Sequence, residues 1–167
     1  MEKTEFKRAE LEDKEIITRY LSLHPGRSCE RTFVNVFLWS RKYPVKWAII
    51  ENALVFKSED DAHVSFAFPV GDDGDVQKAM KVMEAYSEEK GYPFSMYNVT
   101  ADSFEELEAW YPGRFQIEYD RDLADYIYES EKLATLSGKK LHAKRNHINK
   151  FKSVYEGRWS YEPITKE

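Results

Sequence analysis

The feature of this sequence that most constrains its fold is the irregular order of its helix-type and strand-type patterns. Two helix-type segments come first, and three strand-type runs then follow before the next helix-type segment. An all-parallel sheet requires regular alternation of strands and helices, which this order lacks. We therefore predict an α+β (mixed α/β) domain.

The bounds of the predicted elements follow from apolar periodicity and from punctuating residues. Pro44 ends the second helix, Glu51-Asn52 separates the two strands of a hairpin, and Gly91 closes a long helix. The predicted helices cover residues 10–23, 31–43, 76–90, 102–110 and about 139–155. The predicted strands cover residues 45–50, 53–57, 63–70, 93–99, 115–119 and 159–164, with 124–128 as a further candidate.

Length and composition are those of one globular domain that needs no covalent cross-link. The chain has 167 residues, of which 42% are hydrophobic and 33% charged. Cys29 is the single cysteine, which excludes an intrachain disulfide, and a cytoplasmic location is the expectation. The first eight residues contain no apolar stretch, and no apolar run reaches the roughly 18 residues that a membrane-spanning helix needs. We expect neither a secretory signal nor a transmembrane segment.

Sequence motifs for cofactor and metal chemistry are missing. The Gly-Asp-Asp-Gly run at 71–74 has neither the spacing nor the Lys of a phosphate-binding loop. One Cys and four scattered His do not have the spacing of a zinc site. The expectation is therefore no cofactor and no metal, and the catalytic residues stay unassigned. Cys29 lies near Arg27 and Arg31, which favour a reactive thiol, but an incidental thiol is the expected alternative.

An acidic stretch, residues 118–131, contains six acids and one Arg. One interpretation is a solvated edge that pairs with the cations that follow it. The alternative is that Asp122 or Asp125 recognises an amine or orients a cation.

The basic segment, residues 139–152, holds six Lys/Arg, two His and no acid. The whole chain has 25 Lys+Arg against 30 Asp+Glu, so without these six the count becomes 19 against 30. Positive charge concentrated on one element of an acidic protein indicates a specific anionic partner.

Four cationic side chains of the basic segment are the predicted anion-binding residues. At 100° per residue, Lys140, Lys144 and His147 lie along one strip of the helix. Arg145, on the opposite flank, supplies the planar fork that suits phosphate. The apolar residues form a predicted buried stripe of Leu141, Ile148, Phe151 and Tyr155. In the alternative interpretation the cations are solvated and Lys144 extends past its apolar neighbours.

Two stretches of the sequence carry a family resemblance. The run from Gly138-Lys139-Lys140 to Asn149-Lys150-Phe151 is the more specific, and residues 32–39, Thr-Phe-Val-Asn-Val-Phe-Leu-Trp, support it. Both resemble a bacterial family of unknown function that is similar to the C-terminal domain of phosphatidylglycerol lysyltransferase.

The resemblance implies a GNAT-like (acyl-CoA N-acyltransferase-like) fold, with a central mixed, largely antiparallel sheet flanked by helices, that usually occurs as two halves in tandem. This chain corresponds to the first half, with residues 1–156 as the GNAT-like domain and 157–167 as the start of a second half or a tail. The acyl-CoA pyrophosphate loop of ordinary members is missing, which argues against acetyl-CoA as donor.

The resemblance also implies a function and partners. Aminoacyl or acyl transfer is expected, with an aminoacyl-tRNA, a phosphate-bearing small molecule or a lipid head group as partner, and the half alone is expected to be inactive. A homodimer or a second GNAT-like half would complete the unit. The alternative is a non-catalytic binding or assembly domain that recognises an anionic partner through the 139–152 helix.

Overall fold

The computed structural model describes residues 5–165 of the chain. These residues cluster into two units that divide between Asp125 and Tyr126. The two predicted ranges are residues 1–156 and 157–167. The start of the first range and the end of the second lie outside the described residues. The tandem organisation that those ranges express stays a prediction.

The first unit is built on a mixed sheet, which has four strands within the described residues, in the order β1-β2-β3-β4. The strands are β1 (Val45–Ile50), β2 (Ala53–Glu59), β3 (Val64–Ala67) and β4 (Met96–Tyr97). β1, β2 and β3 pair antiparallel, whereas β4 runs parallel to β3. The predicted mixed, largely antiparallel sheet is therefore confirmed.

The helices of the first unit flank this sheet. They are α1 (Lys14–Leu21), α2 (Phe33–Trp39), α3 (Asp73–Lys90) and α4 (Ala101–Trp110), with short 3-10 helices at Leu11–Asp13, Cys29–Arg31 and Arg121–Leu123. Thr32 caps α2, because its hydroxyl accepts a hydrogen bond from the Asn35 amide at 3.3 Å. Gly91 ends α3 with a left-handed backbone, φ 75°. α3 starts at Asp73 rather than at the predicted residue 76.

The β1–β2 hairpin turns through Glu51 and Asn52, as predicted. Ile50 pairs with Ala53, so the loop has two residues, and both have positive φ, 49° and 62°. Such turns match the twist of the flanking strands, which explains how a dipeptide without glycine closes this hairpin.

The two faces of the sheet carry separate apolar clusters because side chains alternate along each strand. One cluster joins the sheet to α3, with Val55, Phe66, Met80 and Met83 fully buried. The other joins the opposite face to α1 and α2, with Ile17, Phe33, Leu54 and Phe56 buried. The first unit is therefore layered, with helices on both sides of the sheet.

One buried cation lies within the α3 side of the sheet. Lys57 is 3% exposed, and its ammonium donates to Glu59 at 2.5 Å and to the Tyr86 hydroxyl at 2.6 Å. Its Nζ also lies 4.5 Å from the ring centre of Phe6. Burial by itself would raise the pKa of Glu59. Hydrogen bonds from Lys57 and Tyr86 outweigh it and lower that pKa to about 2.

The second unit, within the described residues, is helical. It contains α5 (Ser130–Thr135), a 3-10 helix (Lys139–Leu141) and α6 (His142–Val154). α5 was not predicted from the sequence. Leu136 and Gly138 have positive φ, 50° and 86°, and reverse the chain between α5 and the basic segment. A left-handed residue is a common way to end a helix.

Several predicted strands are wrong. The strand expected at 93–99 is reduced to Met96–Tyr97, and residues 115–119, 124–128 and 159–164 have no regular secondary structure. Tyr126 is 89% exposed and Ile164 is fully exposed. A strand is stabilised by a neighbouring strand, and these segments have none beside them in the described structure.

Candidate functional site

The basic segment folds as predicted, apart from its first turn. Lys140 lies in the 3-10 helix Lys139–Leu141, whereas Lys144, Arg145 and His147 lie on α6. A 3-10 turn advances about 120° per residue rather than 100°. Lys140 is therefore offset by only about 20° for each 3-10 step from the strip that a single α-helix would give with Lys144 and His147. All three side chains are exposed, and Arg145 is partly buried.

Arg145 is bound to the turn that precedes its helix. Its Nη1 donates to the carbonyl of Leu136 and, at 3.0 Å, to that of Gly138. Its Nη2 lies 3.4 Å from Nδ1 of His142. The guanidinium therefore satisfies two carbonyls of the turn between α5 and the 3-10 helix, and its phosphate-binding role stays a prediction.

Lys144 lies beside an aromatic ring of its own unit. Its ammonium is 5.2 Å from the ring centre of Tyr128. A cation at this distance from an aromatic face is held by about 0.5–1 kcal/mol when exposed. Tyr128 thereby restricts where the Lys144 charge is presented.

The six Lys/Arg of the basic segment are not neutralised internally. In the described part of the chain, ion pairs within 4 Å involve cations of the first unit and Lys132, and none involves the basic segment. The predicted pairing of the acidic stretch with these cations is thus not seen: Glu129 pairs with Lys132 at 2.8 Å, and Asp125 binds Cys29.

The start of α6 continues directly from the 3-10 helix Lys139–Leu141. The His142 amide donates to the Lys139 carbonyl, so the first amide of α6 already has a backbone acceptor. The first turn of α6 contains no acid. Its side chains therefore favour an anion at this end of the helix.

The apolar stripe of the basic segment is only partly buried, which corrects the prediction. Leu141 is 8% exposed, but Ile148 is 42% and Phe151 is 47% exposed. Phe151 contacts Tyr155 and Trp159, with ring centres 5.0 and 5.9 Å away. α6 therefore presents an aromatic surface as well as a cationic one.

A cavity in the first unit was missed by the sequence analysis. Its volume is about 90 Å³, and it lies between α2 and the sheet, near the carboxyl ends of the parallel strands β3 and β4. Its apolar lining includes Leu21, Val36, Phe56 and Val70. Its polar lining includes Glu30, Arg31, Tyr97 and Asn98. No motif marks this cavity, because its residues come from seven separate segments.

Arg31 is the partly buried cation of this cavity. Two other arginines of the same unit have ionic partners: Arg41 pairs with Glu10, and Arg114 pairs with Glu84. Within residues 5–165, the Arg31 guanidinium makes neither a hydrogen bond nor an ion pair. Burial lowers the pKa of Arg31, and the charge of Glu106 opposes this. Burial also raises the pKa of Tyr97 to about 12, with a contribution from the Glu30 charge.

The turn that carries Glu30 and Arg31 is fixed by Asp125. The amide and the Sγ of Cys29 each donate to the Asp125 carboxylate at 3.2 Å. This hydrogen bond raises the pKa of the Cys29 thiol and lowers that of Asp125. A thiol with a raised pKa is a poor nucleophile, which favours the interpretation of Cys29 as structural.

The described residues show no group of three or more His, Cys, Asp or Glu that is placed to bind a metal ion. Within the same residues, no helix is long and apolar enough to cross a membrane.

Comparison with known proteins places the chain in a family. The family model for the C-terminal region of phosphatidylglycerol lysyltransferase matches residues 22–167. The chain belongs to this family. The resemblance read from the basic segment is therefore confirmed, and the lysyltransferase C-terminal family indicates aminoacyl transfer at the level of the family.

Two relatives extend the comparison. A conserved protein of unknown function from Bacteroides thetaiotaomicron has a crystal structure that superposes with a TM-score of 0.83 at 36% identity. The match covers 97% of this chain and 54% of that one. An uncharacterized protein of Mycoplasmoides gallisepticum is 42% identical over 52 residues, which are 30% of this chain and 17% of the relative. The chain thus spans about half or less of the relatives it matches.

Proposed function

We propose that this chain contributes to aminoacyl or acyl transfer as the first half of a two-half GNAT-like unit, and that its basic segment binds phosphate groups of the donor or the acceptor. The observation that carries the proposal is the set of six cations on one short element that have no ion pair within residues 5–165. Family membership supplies the reaction class.

The chemistry of the donor fits this surface. An aminoacyl-tRNA and a lipid head group both carry phosphate, which lysine ammonium groups bind as point charges. Lys140 and Lys144 are exposed, and Lys144 is held near Tyr128. We expect these two lysines, with His147 beside them, to make the main contacts. Catalytic groups for the transfer are not assigned on this half.

The proposal is tested by binding of uncharged tRNA to the 167-residue chain, measured by fluorescence anisotropy over a salt series. The test variant, Lys140→Gln/Lys144→Gln, is compared with Lys150→Gln/Lys152→Gln, which removes the same charge from the same segment. We expect about tenfold weaker binding for the test variant, and a log–log salt slope reduced by about one for each lysine lost. The control variant is expected to lose much less.

Equal losses for the two variants would contradict the proposed site, because they would mean that total charge alone determines binding. Vesicles that contain phosphatidylglycerol serve as the second arm of the same experiment. Binding to vesicles in place of tRNA would assign the surface to the acceptor. Binding to neither would remove the proposal.

The alternative is a non-catalytic assembly domain, and the aromatic surface of α6 favours it. Phe151, Tyr155 and Trp159 form a cluster that is about half exposed. Such a cluster suits a protein partner better than it suits phosphate. Concentration-dependent dimerisation that is lost in Phe151→Ser, without any affinity for tRNA, would support this alternative.

A further inference from the structure

The cavity in the first unit combines an apolar interior with an unpaired cation at its lining. Arg31 is partly buried and has no hydrogen-bond or ionic partner within residues 5–165, unlike Arg41 and Arg114 of the same unit. The guanidinium stays charged at any pH that a folded protein experiences. Within the described residues none of its nitrogens is fully buried without a partner, so they remain accessible to an anionic ligand, and the nearby charge of Glu106 keeps the group protonated.

The position of Arg31 is fixed by the structure around it. The 3-10 helix Cys29–Arg31 is held by Asp125 through Cys29 and capped by Ser28. The stem of Arg31 packs against Gly26, where an added Cβ would lie 3.1 Å from the Arg31 Cδ. A cation placed in advance binds an anion with less loss of entropy.

The size and lining of the cavity restrict the rest of the ligand. An apolar cavity of roughly 150 Å³ accommodates the six carbons of benzene, so in proportion a volume of about 90 Å³ suits about four carbons. The apolar part of the lining disfavours a polar chain, and the volume limits how many carbons a ligand can bury. Glu30 lines the same cavity and supplies an acceptor for an ammonium group beside the anion.

We propose that this cavity binds a short aliphatic carboxylate, with the carboxylate on Arg31 and a branched group of about four carbons in the apolar interior. Two sources share this chemistry, a simple fatty acid and the zwitterion of an aliphatic amino acid. This proposal does not rest on the proposed function of the basic segment, since its residues all belong to the first unit.

The test is an NMR shift titration of the 167-residue chain with four ligands. Isovalerate carries the full chemistry, acetate lacks the aliphatic group, and 3-methylbutylamine lacks the carboxylate. Leucine adds an ammonium group. We expect isovalerate to bind at least about tenfold more tightly than acetate, since each buried methylene contributes about 0.8 kcal/mol. The amine is expected not to bind in the cavity. If isovalerate binds more tightly than leucine, the ligand is a simple fatty acid. If leucine binds more tightly, the ligand is an aliphatic amino acid. Either result supports the proposal.

Two variants test the assignment of the anchor. Arg31→Gln is expected to weaken isovalerate binding roughly tenfold or more, because a charge-assisted hydrogen bond is lost. Arg27→Gln removes the same charge from an exposed residue of the same loop and is expected to leave binding unchanged. Ala67→Leu, which adds an apolar side chain to the lining of the cavity, is expected to abolish binding.

Three results would overturn the proposal. They are equal binding of acetate and isovalerate, equal loss in the two arginine variants, and binding of the amine at the same resonances. The ligand comparison is made on the unaltered chain, so it remains decisive even where a variant fails to fold.

Discussion

At the scale of the residue, the buried cation Lys57 makes folding depend on pH through its partner Glu59. The carboxylate accepts hydrogen bonds from Lys57 and from the Tyr86 hydroxyl, and Lys90 lies 3.3 Å away. The pKa of Glu59 falls to about 2 in the folded state. Because the folded state holds this proton more weakly than the unfolded chain, Glu59 stabilises the fold above its unfolded pKa. The stabilisation is lost as the pH falls toward 2.

We expect the free energy of unfolding to fall between pH 5 and pH 2, and we expect Glu59 to account for up to about 3 kcal/mol of that fall. Each unit by which folding lowers the pKa of Glu59 contributes about 1.4 kcal/mol. Urea unfolding of the unaltered chain and of Glu59→Gln over this range measures the difference. Glu88→Gln, on the exposed side of α3, is the control. A direct check is titration of the Glu59 carboxyl carbon by NMR. Parallel curves for the unaltered chain and Glu59→Gln would contradict this role.

At the scale of the element, the turn between α5 and α6 depends on a side chain from the helix that follows it. Arg145 donates to the carbonyls of Leu136 and Gly138, both of which have positive φ. Helix-terminal carbonyls lack intrahelical donors, so this arginine closes α5 from outside. The same guanidinium cannot be removed as a clean test of phosphate binding.

We expect Arg145→Gln to destabilise the α5–α6 region by about 1–3 kcal/mol, the cost of losing hydrogen bonds to a charged donor. Loss of helical circular dichroism at moderate temperature measures it, with Lys144→Gln as the neighbouring control. Arg145→Lys is expected to recover part of the loss, since it keeps the charge but not the fork. Unchanged helicity in Arg145→Gln would show that the turn is held by its backbone alone.

Elements fixed by local sequence were predicted well, and elements fixed by distant partners were not. The hairpin at Glu51-Asn52 and the long helix that Gly91 closes depend on a few adjacent residues. The strands expected at 115–119 and 159–164 needed a neighbouring strand that the described structure does not provide. For the site, charge clustering identified the basic segment. The Arg31 cavity stayed invisible, because α2, β2 and β4 meet there only after folding.

At the scale of the whole molecule, the two units differ in how their side chains are buried. The first contains two apolar clusters on either side of a sheet. In the described part of the second, Leu141 is the one residue that is buried. Helices of 6 and 13 residues are marginal without packing.

Because of this contrast, we expect the backbone amides of the two units to exchange with deuterium by different routes. Amides of β1, β2 and α3 should exchange only through global unfolding, whereas those of α5 and α6 should exchange through local opening at much lower free energy. Mass spectrometry of peptic fragments measures both, and equal protection in the two units would contradict the division. A ligand that binds the cationic surface of α6 should then slow deuterium uptake in that helix. Exchange measurements can therefore detect such a ligand before it is identified.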